Sequence, residues 1–370
     1  MKRKRKLTDY ISTLSLILLA LAACAGVLHV IFIFNAEFAD WFNQNVSCHV
    51  RSALATATGW IPFSLAELFV LGLPVVAALA VIIILKIIAK RKTGFLKAVL
   101  GIVSAGALIY TMFVLSVAAG YRGTGLDRKL GLEKRDVSTQ ELADTASLIA
   151  DRLNEIYEEY GDMGYLSGVG TVRPYPHSEC VEKLRTSYGS LMKQYPFISD
   201  VEAPVKILVS SDIMTYTHIS GVYTFLTGEA NLNTNYPYFV NVYTTAHEMS
   251  HQRGIEREDE ANFVAFLVCI NSDDPYIRYS GYLNMFEYLG DALYKNSSVE
   301  YGKVYSKLNP GARADLISYT KFFERYRNSK AAEVTDTVND VYLKSQGTKG
   351  SVSYGLVVDL CVAYYRQPQS

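Results

Sequence analysis

"TTAHEMSHQRGIEREDEANF", residues Thr244 to Phe263, sets the reading of this chain. His247 and His251 are four apart, and on a helix that spacing puts both imidazoles on one face. They can therefore meet at one ion, with zinc–nitrogen distances of about 2.0–2.1 Å. Glu248 follows the first histidine and is turned by roughly 100° from it. It misses coordination but can reach a water beside the ion, which is the geometry of a general base. Gly254, three residues after His251, is placed to end the helix in a left-handed cap and turn the chain back.

A zinc that does chemistry needs a third protein ligand and an open position. A third histidine of the longer HExxHxxGxxH pattern would fall at 257, where this chain has Arg257. The acids that follow are Glu256, Glu258, Asp259 and Glu260. If a second helix starts near Glu256, then Glu258, Ala261, Asn262 and Ala265 share one face. The two alanines let that helix pack close to the first, and Glu258 turns toward the ion. Asn262, Asp259 and Glu260 remain as groups that could orient the histidines.

The segment resembles glutamate-type zinc peptidases, whose second helix carries Glu-x-x-Ala-Asp or Glu-x-x-Ala-Asn; membrane prenyl-protein peptidases and heat-shock-type membrane peptidases are of this kind. The resemblance implies a zincin-like fold, Zn2+ as cofactor, and the first glutamate, here Glu258, as third ligand. The interval between the two helices is much shorter than in those families, and Glu260 stays as the alternative. A closer resemblance is to a bacterial membrane family, domain of unknown function 3810. It runs through "IPFSLAE", "TGEANLN", "AHEMSHQRGIEREDEANF", "YSGYL" and "VSYGLVVDL". It implies a membrane-tethered metallopeptidase.

The rest of the 370 residues frames the motif. Half are hydrophobic and only 19% are charged, against about a quarter in soluble domains. The apolar excess sits before residue 120. Three stretches, about 11–34, 61–89 and 95–119, are long enough to span a bilayer; the first covers roughly 36 Å. Glu67 and Lys86 lie near the ends of the second, within reach of headgroups. "LAAC", Leu21 to Cys24, resembles a lipoprotein cleavage site, but "AGVLHVIFIF" continues apolar beyond it, as a retained helix does.

"MKRKRK" and the basic residues between the second and third stretches face the cytoplasm by the positive-inside rule, since the connection from Asn35 to Trp60 has Arg51 as its only Lys or Arg. Trp41 and Trp60 flank that connection as interfacial anchors. The reading is a bacterial cell-membrane protein with three transmembrane helices in 1–120, the N-terminus inside and a mostly helical α+β domain, 121–370, outside. Zero net charge gives no field for nucleic acid. Five widely spaced cysteines suit small buried residues better than a disulfide framework.

In the outer part, Ser138 and Glu141 have capping-box spacing ahead of a helix. "VKILVS" reads as a buried strand, and "GVYTFLTGEANLN", broken at Gly228, as a strand pair. Within it, Gly228, Glu229, Ala230 and Asn231 are candidates for a sheet edge that holds an extended peptide substrate. Tyr279, Tyr282 and Tyr354 are available as oxyanion donors, although each also suits core packing. Two functions follow. One is a zinc metalloendopeptidase, tethered to the lipid bilayer, acting on a peptide or protein substrate. The other is a non-catalytic zinc-binding sensor or scaffold, which would have no use for Glu248.

Overall fold

The computed structural model describes residues 11–90, 94–133, 135–162, 166–167, 170–348 and 356–367. Most of these are helical. Thr13–Phe34, Leu65–Lys90 and Gly94–Phe113 are the three apolar helices, and a π-turn at Val114–Ala118 carries the third on to Arg122. All three are long and apolar enough to cross a membrane. The second is almost bare of protein contact, with Leu68, Leu71 and Leu79 more than half exposed. Cys24 is also exposed and Cys48 is half-buried, whereas Cys180, Cys269 and Cys361 are buried as expected.

The connection between the first two apolar helices is not a loop. Ala36–Phe42, a π-turn at Asn43–Ser47 and Cys48–Gly59 form one helical run, docked on the second half of the chain. Asn43 Nδ2 donates to the Gly254 carbonyl at 2.9 Å. The Arg51 guanidinium donates to the carbonyls of Gln252 at 3.2 Å and Ser116 at 2.7 Å. Thr58 Oγ1 donates to Thr227 O at 3.0 Å. The border expected at residue 120 is therefore not clean: residues 36–59 pack as part of the body that carries the motif.

Arg51 is only 1% exposed. It holds the start of the turn after the motif helix, at Gln252, and faces Glu256 near the end of that turn at 3.9 Å. Arg51→Met is expected to leave Glu256 and several carbonyls buried without their cation, a loss of about 3–5 kcal/mol. The melting temperature of the purified protein should fall well below that of an exposed control such as Arg152→Met.

The main core is formed by Thr139–Asp162, His177–Gln194, the motif helix Tyr238–Gln252, the acidic helix Glu258–Ile270, Pro275–Asn296 and Leu356–Arg366. Local signals start these helices. Ser138 and Glu141 exchange the two bonds of a capping box, at 3.2 and 3.1 Å. Asp274 caps Pro275–Asn296 by accepting from the backbone N–H groups of Tyr276 and Ile277. The motif helix is buried almost all round, with Val242, Ala246 and Met249 fully enclosed.

Against it lies a three-stranded sheet. Glu229–Leu232 is the middle strand, parallel to Val205–Ile207 on one side and antiparallel to Gly221–Thr224 on the other. This corrects the expected substrate edge: Ala230 and Asn231 are paired on both sides, Glu229 is paired with Thr224, and Gly228, at φ +69°, is in the turn. Val205–Ile207 and Gly221–Thr224 are the two outer strands, and Gly221–Thr224 is the one that lies against Glu248. Asn233 N–H donates to Ser220 O, which sets the antiparallel alternation. Gly221 and Tyr223 accordingly turn their peptide groups outward.

Candidate metal centre

The motif helix stops where the sequence places the stop. Gly254 has φ +90°, and its N–H and that of Ile255 donate back to His251 O and Ser250 O, as in a Schellman ending. A Cβ there would collide with an Arg51 nitrogen, so the position needs glycine for space as well as for backbone angle. The acidic helix begins at Glu258, two residues later than anticipated. Ala261 and Ala265 are fully buried between the helices. Tyr243 Oη donates to Asn262 O at 2.7 Å and ties the pair together.

This turn brings three donors to one point. His247 Nε2 and His251 Nε2 are 3.1 Å apart. Glu258 Oε2 is 3.2 Å from the first and Glu258 Oε1 is 3.8 Å from the second. Bonds of about 2.0–2.1 Å in a tetrahedron place neighbouring donors roughly 3.3–3.4 Å apart, and the three separations bracket that value. His251 Nδ1 lies 2.8 Å from the Ile255 carbonyl. That contact puts the proton on Nδ1 and leaves the Nε2 lone pair facing the cluster. Two nitrogens and one carboxylate suit a divalent ion of the zinc type. The residues present fit such an ion.

Glu260 does not compete. Its Oε1 accepts the Leu126 N–H at 2.9 Å and Arg257 Nη1 at 2.8 Å, turned away from the histidines. Asp259 is likewise not among the converging ligand atoms. Asn262 lies against His247, and its carbonyl accepts from Tyr288 Oη at 3.3 Å. His247 Nδ1 and Asn262 Nδ2 are nevertheless both buried without a hydrogen-bond partner.

Burial disfavours charge on all four central groups. His247 and His251 outweigh it at Glu258, whose carboxyl is held below its ordinary value. His247, beside Glu258 and Glu248, is raised. His251 is pushed down to about 4 by burial. Glu248 is pushed up to about 8, by burial first and then by Glu258, against the pull of His247. Its Oε2 has no hydrogen-bond partner. Gly221 of the edge strand closes on it: a Cβ there would meet Glu248 Oε1 at 2.6 Å and Thr244 Cγ2 at 2.7 Å.

The cluster opens into a cavity of about 1610 Å³. One wall is the edge strand, another is Val117 and Tyr121 of the extended third apolar helix, and Tyr342 of the helix Lys330–Ser345 also lines it. Tyr121 and Tyr342 touch through their hydroxyls at 3.2 Å.

Two tyrosines singled out from sequence are elsewhere. Tyr279 is fully buried and donates to Asp315 at 2.7 Å, and Tyr282 packs on Phe266. Tyr354 lies outside the described residues. A tyrosine that the sequence did not single out is at the site. Tyr223, on the edge strand, stacks on His251 with ring centroids 6.3 Å apart, and its buried hydroxyl has no partner. Its place in "GVY", directly ahead of the motif helix in the hairpin, was the available signal.

Fold and site together define a mostly helical protein with three apolar helices and a two-histidine, one-glutamate centre between two packed helices. The chain belongs to the family described as Protein of unknown function (DUF3810), whose model matches residues 42–362. The match starts in the helical run between the first two apolar helices, the same run that is stitched to the motif body. Neither the curated proteins nor the solved structures include a match to it.

Proposed function

We propose that this protein is a membrane-tethered, zinc-dependent peptidase with a zincin-like catalytic body. The observation that carries this reading is a buried carboxylate, Glu248, with a partnerless Oε2, set between a ligand-competent His247–His251–Glu258 cluster and the outer strand Gly221–Thr224. A zinc ion held by those three residues supplies Lewis acidity, polarising a carbonyl and acidifying water.

The chain's own groups do the rest. Gly221 and Tyr223 present outward peptide groups to an extended substrate, which adds a strand beside them. Glu248 takes a proton from the attacking water and returns it to the leaving amine. The Tyr223 hydroxyl is the donor for the developing oxyanion. A site that only stored or sensed metal would have no task for a carboxylate in the position of Glu248.

The positive-inside pattern supports an outer-face position for this body, read as that of a bacterial cell membrane. A maleimide reagent that cannot cross membranes should label Asp200→Cys, an exposed position, in intact cells. Protection at that position would reverse the orientation. The activity itself is tested by exposing a peptide library to the purified zinc-loaded protein and to Glu248→Gln. Cleavage by the first and not the second supports the reading; no cleavage by either rejects it.

A further inference from the structure

The body is fixed to the second apolar helix at that helix's first turn. Glu229, from the middle strand, accepts the N–H groups of Leu65 at 3.2 Å and Ala66 at 2.9 Å. Lys206 pairs with Glu229 and donates to the carbonyls of Thr58 at 3.0 Å and Phe63 at 3.1 Å. Glu67 in turn accepts from Val209 N at 3.0 Å and Ser210 N at 2.6 Å. Glu67 is two residues into the helix, roughly 3 Å along its axis. A backbone bonded to it therefore sits at the edge of the hydrocarbon layer.

The side chains at that level are apolar and uncovered. Val209 is 86% exposed and Ile213 74%; Trp60 and Phe63, just before the helix, are 80% and 47% exposed. Protein does not cover them, and they continue the bare aliphatic surface of the helix that starts at Leu65. Such a patch on a water-facing surface would be costly; beside a membrane-spanning helix it has a natural cover.

The cavity is close to the same boundary. The third apolar helix runs from Phe95 to Arg122, 28 residues, or roughly 42 Å. The hydrocarbon core is about 30 Å thick, which leaves roughly 12 Å of helix above it. Val117 and Tyr121, in that upper part, line the cavity. Phe225, from the turn after the edge strand, also lines it and packs on Phe113 with ring centroids 5.7 Å apart.

We infer that Val209, Ile213, Trp60 and Phe63 seat the body in the lipid interface, and that the cavity takes polypeptides tethered to the same bilayer. The scissile bond would lie about four extended residues from the anchor, since each residue spans about 3.3 Å. The second half of this inference rests on the peptidase reading; the first half rests only on the three apolar helices spanning a bilayer.

The test uses the full chain in phosphatidylcholine–phosphatidylglycerol vesicles. An environment-sensitive fluorophore on Ile213→Cys, in a background with the exposed Cys24 and the half-buried Cys48 replaced by serine, should be quenched by lipids spin-labelled near the headgroup. The same fluorophore on Asp200→Cys should not be. The sequence preferred in the peptide library is then presented free, and also joined to a palmitoyl group through a four-residue spacer. The anchored form should be cleaved at least tenfold faster at equal bulk concentration. Val209→Glu with Ile213→Glu should remove that advantage without slowing cleavage of the free peptide. An unquenched label at 213 overturns the seating. Equal rates on free and anchored peptide overturn the substrate class while the peptidase reading stands. If neither peptide is cut, the substrate class falls together with the peptidase reading, and the quenching result alone decides the seating.

Discussion

Glu248→Gln is expected to lower peptide hydrolysis by about 10²–10⁴-fold, the range that a positioned general base supplies, while zinc stays bound. The amide keeps the shape of the side chain, so Gly221 still packs against it, but it cannot take a proton from water. The wild-type carboxylate is buried and its Oε2 is without a partner, so the exchange leaves no broken network. Folding should be intact by circular dichroism and melting temperature. Tyr223→Phe is the companion variant. It removes the hydroxyl of the ring that stacks on His251, and the expected loss is about 10²-fold in kcat with KM nearly unchanged, as for removal of one oxyanion donor. Full activity in Glu248→Gln would remove this carboxylate from the mechanism. Loss of zinc in the same variant would make it a ligand instead.

The second large effect concerns the ligands. His247→Ala, His251→Ala and Glu258→Ala should each reduce bound zinc from about one per chain toward zero after dialysis, and abolish activity with it. Glu260→Ala is the control. Its carboxylate is occupied by Leu126 N–H and Arg257, so it should keep its zinc and lose only stability, about 1–3 kcal/mol for the donors left unpaired. Metal retained in Glu258→Ala and lost in Glu260→Ala would mean that the acidic helix is rotated from the register seen here. Metal analysis of the four variants distinguishes these outcomes without any activity assay.

How much of this was legible in the sequence depends on how local each feature is. The motif helix, its glycine stop, the capping box at Ser138 and the hairpin about Gly228 each depend on residues a few positions apart, and each is found where the sequence put it. The choice between Glu258 and Glu260 needed more. Helical spacing turns Glu258 toward the histidines, but the removal of Glu260 comes from Leu126, 134 residues away in the chain. The substrate edge was misread for a similar reason. Both arms of the hairpin look alike in sequence, and the parallel strand Val205–Ile207 covers one of them. Tyr279 was a plausible donor until Asp315, 36 residues on, took its hydroxyl.

By itself the sequence determined which residues could bind an ion and act on water, because helical periodicity places His247, Glu248 and His251 irrespective of what surrounds them. It also determined which three segments are apolar enough to span a bilayer. Only the tertiary structure decided which acid completes the centre, which strand is left open beside it, and that Arg51 and the rim of the second apolar helix hold the body against the membrane-facing segments. Those outcomes depend on contacts between distant parts of the chain, where burial and hydrogen bonding select among side chains that local spacing leaves equivalent.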